Sequence, residues 1–206
     1  MKTLFRESTA LFNSLVGDIK VQEYLFGLET HHKRNYNHSL RVGRLSIDLG
    51  FENGYRKRDL NVLGYGGILH DMGKEDIPLE ILEKQGPLSD EEKMIMQGHS
   101  RLGFIKIKEP EFEDVRKIVV GHHEYKRNPY PRHGEDRREE PRNGERRRND
   151  GIDELVQIVA ACDMFDALGE SRSYKEPMDP REVERIMRSQ YTGSPQFIRQ
   201  LMRRAA

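Results

Sequence analysis

Eight histidines occur in the sequence, and five of them (His38, His70, His99, His122 and His123) fall in or beside segments with a helical pattern of apolar residues. Asp71 and Asp163 stand in similar settings. Imidazole and carboxylate together suit divalent iron, manganese or zinc, and a carboxylate's two oxygens can bridge two cations that would otherwise repel. This set is therefore compatible with a pair of metal ions. His70-Asp71 closes the apolar run VLGYGGILHD just before Gly73, which delivers both side chains to the edge of a core. His122 and His123 are adjacent. On a helix they diverge by about 100°, so both reach one site only from its flank. His31 and His32 precede the set without a matching partner and read as a solvated helix end, and His133 lies in a polar stretch and reads as exposed. Cys162, on the apolar segment LVQIVAACD, reads as core packing rather than a nucleophile.

The elements that must position these groups are helices. Leu40, Val42, Leu45, Ile47 and Leu49 follow the helical period and end at Gly50, which predicts a helix with its stop. Further helices are predicted over 8–15, 21–28, 58–70, 89–108, 112–123, 152–168, 180–190 and 195–204. Ser89 followed by Asp90, Glu91 and Glu92 is a helix start, with the serine capping free amides and the acids opposing the positive end of the dipole. Asp179-Pro180 is another. Met94 and Met96 read as core filling. The fold class expected is all-α.

Within 206 residues one domain is the prior, with residues 1–30 forming helices that pack on a catalytic bundle of residues 31–206. The stretch RHGEDRREEPRNGERRRND, residues 132–150, has nothing apolar to bury and reads as a charged, mobile insertion. Its acids, Glu135, Asp136, Glu139, Glu140 and Glu145, dilute the arginines, which argues against RNA or lipid as its partner. Lysine plus arginine and aspartate plus glutamate balance at 35 each, so stable nucleic-acid binding is not expected. No apolar run approaches the roughly 20 residues of a membrane span, and the N-terminus lacks the apolar stretch of a signal peptide. With a single cysteine there is no intrachain disulfide, and the expected location is the cytoplasm.

The motifs NHSLRVGRLS at His38, LHDMGKEDIPLEIL at His70, LSDEEKMIMQGHSRLG at His99, VVGHHE at His122 and VAACDMFDALGESRSYKEP at Asp163 occur in one order along the chain. In that order the sequence resembles the HD superfamily of metal-dependent phosphohydrolases, and within it the HD-GYP phosphodiesterases that hydrolyse cyclic di-GMP. The resemblance implies an HD-domain helical bundle. It implies one metal held by His38, His70, Asp71 and Asp163, and a second held by Asp71, His99, His122 and His123. Asp71 would bridge the metals, and iron or manganese is the expected pair. A hydroxide between them would attack phosphorus in line, opening cyclic di-GMP to linear pGpG and onward to GMP. Lys74 would stabilise a nonbridging phosphate oxygen, Arg172 and Lys175 match phosphate-binding positions, and Asp166 would accept a hydrogen bond or assist proton transfer.

Two departures stand out. The segment HHEYKRNPYP keeps Tyr130 and Pro131 but has Pro129 where the family has glycine, with a shorter spacing. Arg34 stands where three-metal relatives carry an acidic ligand, so two metals are expected, and the arginine is a candidate for a substrate phosphate. Two alternatives stay open: hydrolysis of another nucleotide or cyclic dinucleotide, and an inactive domain that binds a nucleotide or a partner protein. The first helices also offer a surface for a homodimer.

Overall fold

The computed structural model describes residues 2–130, 151–170 and 178–205. Among these residues the fold is helical: α1 (Lys2–Val16), α2 (Ile19–His31), α3 (Lys33–Glu52), α4 (Lys57–Leu69), α5 (Leu79–Leu82), α6 (Asp90–Gln97), α7 (His99–Lys106), α8 (Glu113–Gly121), α9 (Ile152–Gly169), α10 (Pro180–Gln190) and α11 (Pro195–Ala205). A 3-10 turn, Met72–Asp76, joins α4 to α5. An isolated antiparallel bridge pairs Lys126 with Tyr191. The 132–150 insertion, His133, Pro131, Arg172 and Lys175 lie outside the described residues.

Helix α9 sits in the middle because its sequence allows nothing else. Leu155, Val156, Ile158, Val159, Ala160, Ala161, Cys162 and Met164 are all buried, so the helix is apolar nearly all round and must be enclosed. It is flanked by α3, α4, α8, α10 and α11. Cys162 is fully buried, and enclosure raises its thiol to about 12, away from the reactive thiolate. A second core joins Leu15, Val21, Leu25 and Leu28 of α1 and α2 to Ile47, Ile68 and Leu69 of α3 and α4. Helices α3 and α4 cross at glycines: a Cβ on Gly67 would lie 2.7 Å from the Gly43 Cα, so backbone packs on backbone there.

The structure corrects several expected boundaries. Helix α3 does not stop at Gly50 but runs to Glu52, and the left-handed residue that ends it is Gly54, at φ 73°. Gly50 serves packing instead, since a Cβ there would lie 2.7 Å from Leu60 and Leu63 side-chain carbons. The helix expected over 89–108 is two, broken at Gly98. Ser89 and Glu92 do form a reciprocal capping box at the start of α6. Beyond that cap α6 buries no residue, so Met94 is 74% exposed rather than core filling, and Met96 faces a cavity. His31 and His32 are not a solvated helix end either. His31 Nε2 lies 2.9 Å from the Ile77 carbonyl, and His32 caps α3 by accepting from the Asn35 amide. No helix among the described residues is long and apolar enough to cross a membrane.

Candidate metal centre

Three of the histidines are set by one local device. The last-turn carbonyls of a helix have no partner inside it. His70 directly follows α4, His122 directly follows α8, and His99 follows the break after α6. Each ring spans the carbonyl three residues back from its Nδ1: Gly67 at 2.8 Å, Val119 at 2.7 Å and Met96 at 2.6 Å. That bond places the proton on Nδ1 and leaves Nε2 as a bare lone pair, the usual way a protein fixes the tautomer of a ligating histidine. Three helix ends thus aim three lone pairs at one volume.

His38, on the first turns of α3, is fixed differently. Its Nδ1 donates to Asp166 at 2.7 Å, and its Nε2 faces Asp163 at 3.1 Å. Burial opposes a charge on this ring, but the bonds to Asp163 and Asp166 outweigh it and push His38 up to about 9. Both aspartates come from α9, one turn apart.

Asp71 lies between the two halves, with each oxygen turned to a different pair of rings. Oδ2 faces His70 at 3.3 Å and His38 at 3.8 Å, while Oδ1 faces His99 at 3.3 Å and His122 at 3.8 Å. Burial resists its ionisation, yet His70 and Lys74 beside it hold the carboxyl well below the usual range. Potential ligand atoms fall into three overlapping groups, each with its atoms within 4.8 Å of one another: Asp71, His99, His122 and His123; His38, His70 and Asp71; and His70, His122 and Asp163. His122 and His123 meet there although adjacent, because the chain leaves the helix at Gly121 and their ring centroids come to 4.0 Å.

The donor set fits cations better than it fits itself. His99 Nε2 and His122 Nε2 are 3.3 Å apart with both Nδ1 protons committed elsewhere, so lone pair faces lone pair. His70 Nε2, Asp71 Oδ1 and His123 Nδ1 are buried without a hydrogen-bond partner. Unpaired buried acceptors are costly, and a pair of divalent cations, one in each of the two groups that share Asp71, would satisfy them. Desolvation lowers His99 to about 4 and drops His122 and His123 well below the ordinary imidazole value, which keeps these rings neutral as ligation requires.

A cavity of about 690 Å³ opens onto this cluster, lined by His38, His99, His123 and Asp163 on its floor and by Lys74, Lys126 and Tyr130 among its walls. Lys74 Nζ is 2.6 Å from Asp71 Oδ2. Tyr130 packs on His123 with ring centroids 4.4 Å apart. Arg34 also lines the cavity and pairs with Glu170 at 2.8 Å. Asp166 does not line it: its carboxylate accepts from His38 and, at 2.8 and 2.9 Å, from Arg41. Sequence reading missed Arg41, although its spacing of three from His38 put the two side chains on one face of α3, as the same spacing does for Asp163 and Asp166 on α9. Asp166→Asn is expected to loosen His38 and weaken metal affinity about 10–100-fold while the fold persists, as for other groups that orient a ligand. Metal titration with circular dichroism checks it; unchanged affinity would remove Asp166 from the centre's support.

The HD domain family matches residues 35–168. The chain belongs to that family. This HD domain is 33% identical over 166 residues to a cyclic di-GMP phosphodiesterase of Thermotoga maritima, an overlap of 79% of the chain and 40% of the relative. It is 29% identical over 167 residues to a 3'3'-cGAMP-specific phosphodiesterase of Vibrio cholerae, covering 79% of the chain and 30% of the relative. It is 28% identical over 181 residues to a cyclic di-GMP phosphodiesterase of Pseudomonas aeruginosa, covering 85% and 40%. The HD domain described here therefore spans two fifths or less of the length of these relatives.

Proposed function

We propose that this chain is a metal-dependent phosphodiesterase that opens cyclic di-GMP to linear pGpG, and carries it on to GMP, using two divalent cations, iron or manganese. The observation that carries this reading is the convergence of buried ligand atoms from His38, His70, His99, His122, His123, Asp71 and Asp163 beneath the cavity. In it His38, His70, Asp71 and Asp163 hold one cation, and Asp71, His99, His122 and His123 the other. Cations so bound lower the pKa of a water toward neutrality and stabilise charge on the entering and leaving oxygens of a phosphodiester.

The chain's own groups supply the rest. The helix-end carbonyls hold the imidazoles in one tautomer, so the ligands need not reorganise. Lys74, tethered to Asp71, keeps an ammonium beside the centre for a nonbridging phosphate oxygen. Arg172 and Lys175 are proposed as further phosphate contacts. A cavity of this size falls within the range of small-molecule sites.

A second reading is 3'3'-cGAMP as substrate. It is favoured by two of the relatives from Vibrio cholerae and by the altered HHEYKRNPYP segment, of which Lys126 and Tyr130 line the cavity. Protein purified without chelator, analysed for metal and assayed on both dinucleotides with iron and with manganese tests these readings. About two metals per chain with turnover supports the enzyme, and the preferred dinucleotide decides between substrates. Metal without turnover of either leaves a nucleotide-binding domain, and absence of metal overturns the proposal.

A further inference from the structure

Lys126 lies in HHEYKRNPYP, a segment where this chain departs from the family pattern, and it lines the cavity. Its Nζ is 3.5 Å from Asp163 Oδ2, as Lys74 Nζ is 2.6 Å from Asp71 Oδ2. Each buried aspartate of the centre therefore has one lysine at the cavity wall. A tight ammonium–carboxylate bond is about 2.7–2.9 Å, so the Lys126 contact is loose, and the side chain keeps 27% of its exposure. An ammonium has three donors and Asp163 occupies at most part of that capacity.

The backbone at Lys126 is pinned. Lys126 bridges to Tyr191, the Arg127 amide donates to the Gln190 carbonyl at 2.8 Å, and the Thr192 amide donates to the Tyr125 carbonyl at 2.9 Å. The two tyrosines are in turn tied to α9, Tyr125 by its hydroxyl to Asp153 and Tyr191 by its hydroxyl to the Gln157 carbonyl at 2.9 Å. Asp163 is on the same helix. The backbone of Lys126 is thus held in register with the centre, which keeps its ammonium within reach of Asp163 and of the cavity.

Once cations share the Asp163 carboxylate, Lys126 is a surplus positive charge on a half-buried wall, and a charge in that position calls for an anion. Resting on the phosphodiesterase reading, we infer that Lys126 binds a nonbridging phosphate oxygen of the substrate, so that the cavity holds its phosphodiester with Lys126 as well as Lys74.

The test is calorimetric titration of inorganic phosphate into manganese-loaded wild type, Lys126→Met and Lys126→Arg, with manganese content measured on each and KM and kcat measured on cyclic di-GMP. Lys126→Met is expected to bind phosphate about tenfold or more weakly, with unchanged manganese content, a KM raised by a similar factor and a smaller change in kcat. Lys126→Arg should recover most of the phosphate binding. Equal phosphate binding by wild type and Lys126→Met overturns the inference, as does loss of manganese in that variant, which would make Lys126 a support for Asp163. If wild type turns over no cyclic dinucleotide but its phosphate binding still depends on Lys126, the substrate reading fails and the phosphate site stands.

Discussion

Asp71→Ala is expected to cut kcat/KM by roughly a thousandfold or more, equivalent to about 4 kcal/mol of transition-state stabilisation, and to strip metal from the protein. The reason is geometric. Asp71 is 1% exposed, and its two oxygens face different pairs of histidines, so its loss reaches both halves of the cluster. Its loss also leaves Lys74, which is 19% exposed, without its carboxylate. Removing one partner of a buried pair costs about 3–5 kcal/mol, with the lower end apt for a lysine that retains some water. Asp71→Asn preserves shape and separates the two effects. It should fold like wild type by circular dichroism, hold less metal and remain inactive. Wild-type metal content and turnover in Asp71→Asn would show that the bridge between the two groups is not what the centre depends on.

Gly73→Ala is the second large effect, and it acts without altering a ligand side chain. A Cβ at this position would run into the His99 carbonyl and the Gly103 amide, because the 3-10 turn lies directly on α7. Those atoms are backbone and cannot rotate aside as a side-chain tip does. The turn and α7 must separate, which moves His99 away from Asp71 Oδ1, now 3.3 Å from its Nε2. Overpacking of this kind costs about 1–3 kcal/mol, and in a chain of this length that is a Tm lowered by roughly 2–12 °C. Metal content should fall with it. Gly169→Ala, where a Cβ meets nothing, is the matched control and should change neither. A Gly73→Ala protein with wild-type Tm and metal content would show that α7 yields freely, and the tight seat inferred for His99 would be wrong.

The helical class, the seven chemistry-bearing residues and the family were legible in the sequence for distinct physical reasons. Helices announce themselves by a period of 3.6, and α9 by an apolar run too long and too uniform to leave exposed. The residues of the buried cluster were legible as residue types in order, since imidazole and carboxylate together are a donor set that suits divalent cations.

What the sequence could not say is which atoms meet. That His70, His99 and His122 share one capping geometry depends on where three helices end, and helix ends are decided by tertiary packing more than by propensity. Gly50 looked like a stop because glycine often is one, yet the packing of Leu60 and Leu63 against it carried α3 two residues further. Met94 looked like core because apolar residues usually are, but α6 had no neighbour left to cover it once the chain broke at Gly98. The commitment of Asp166 to His38 and Arg41, and the placing of Lys126 on Asp163, join residues more than thirty positions apart. Sequence determined which groups were on hand for chemistry. Only the tertiary structure decided which lone pairs face one another, because that is a property of distances between helices and not of the order of residues along them.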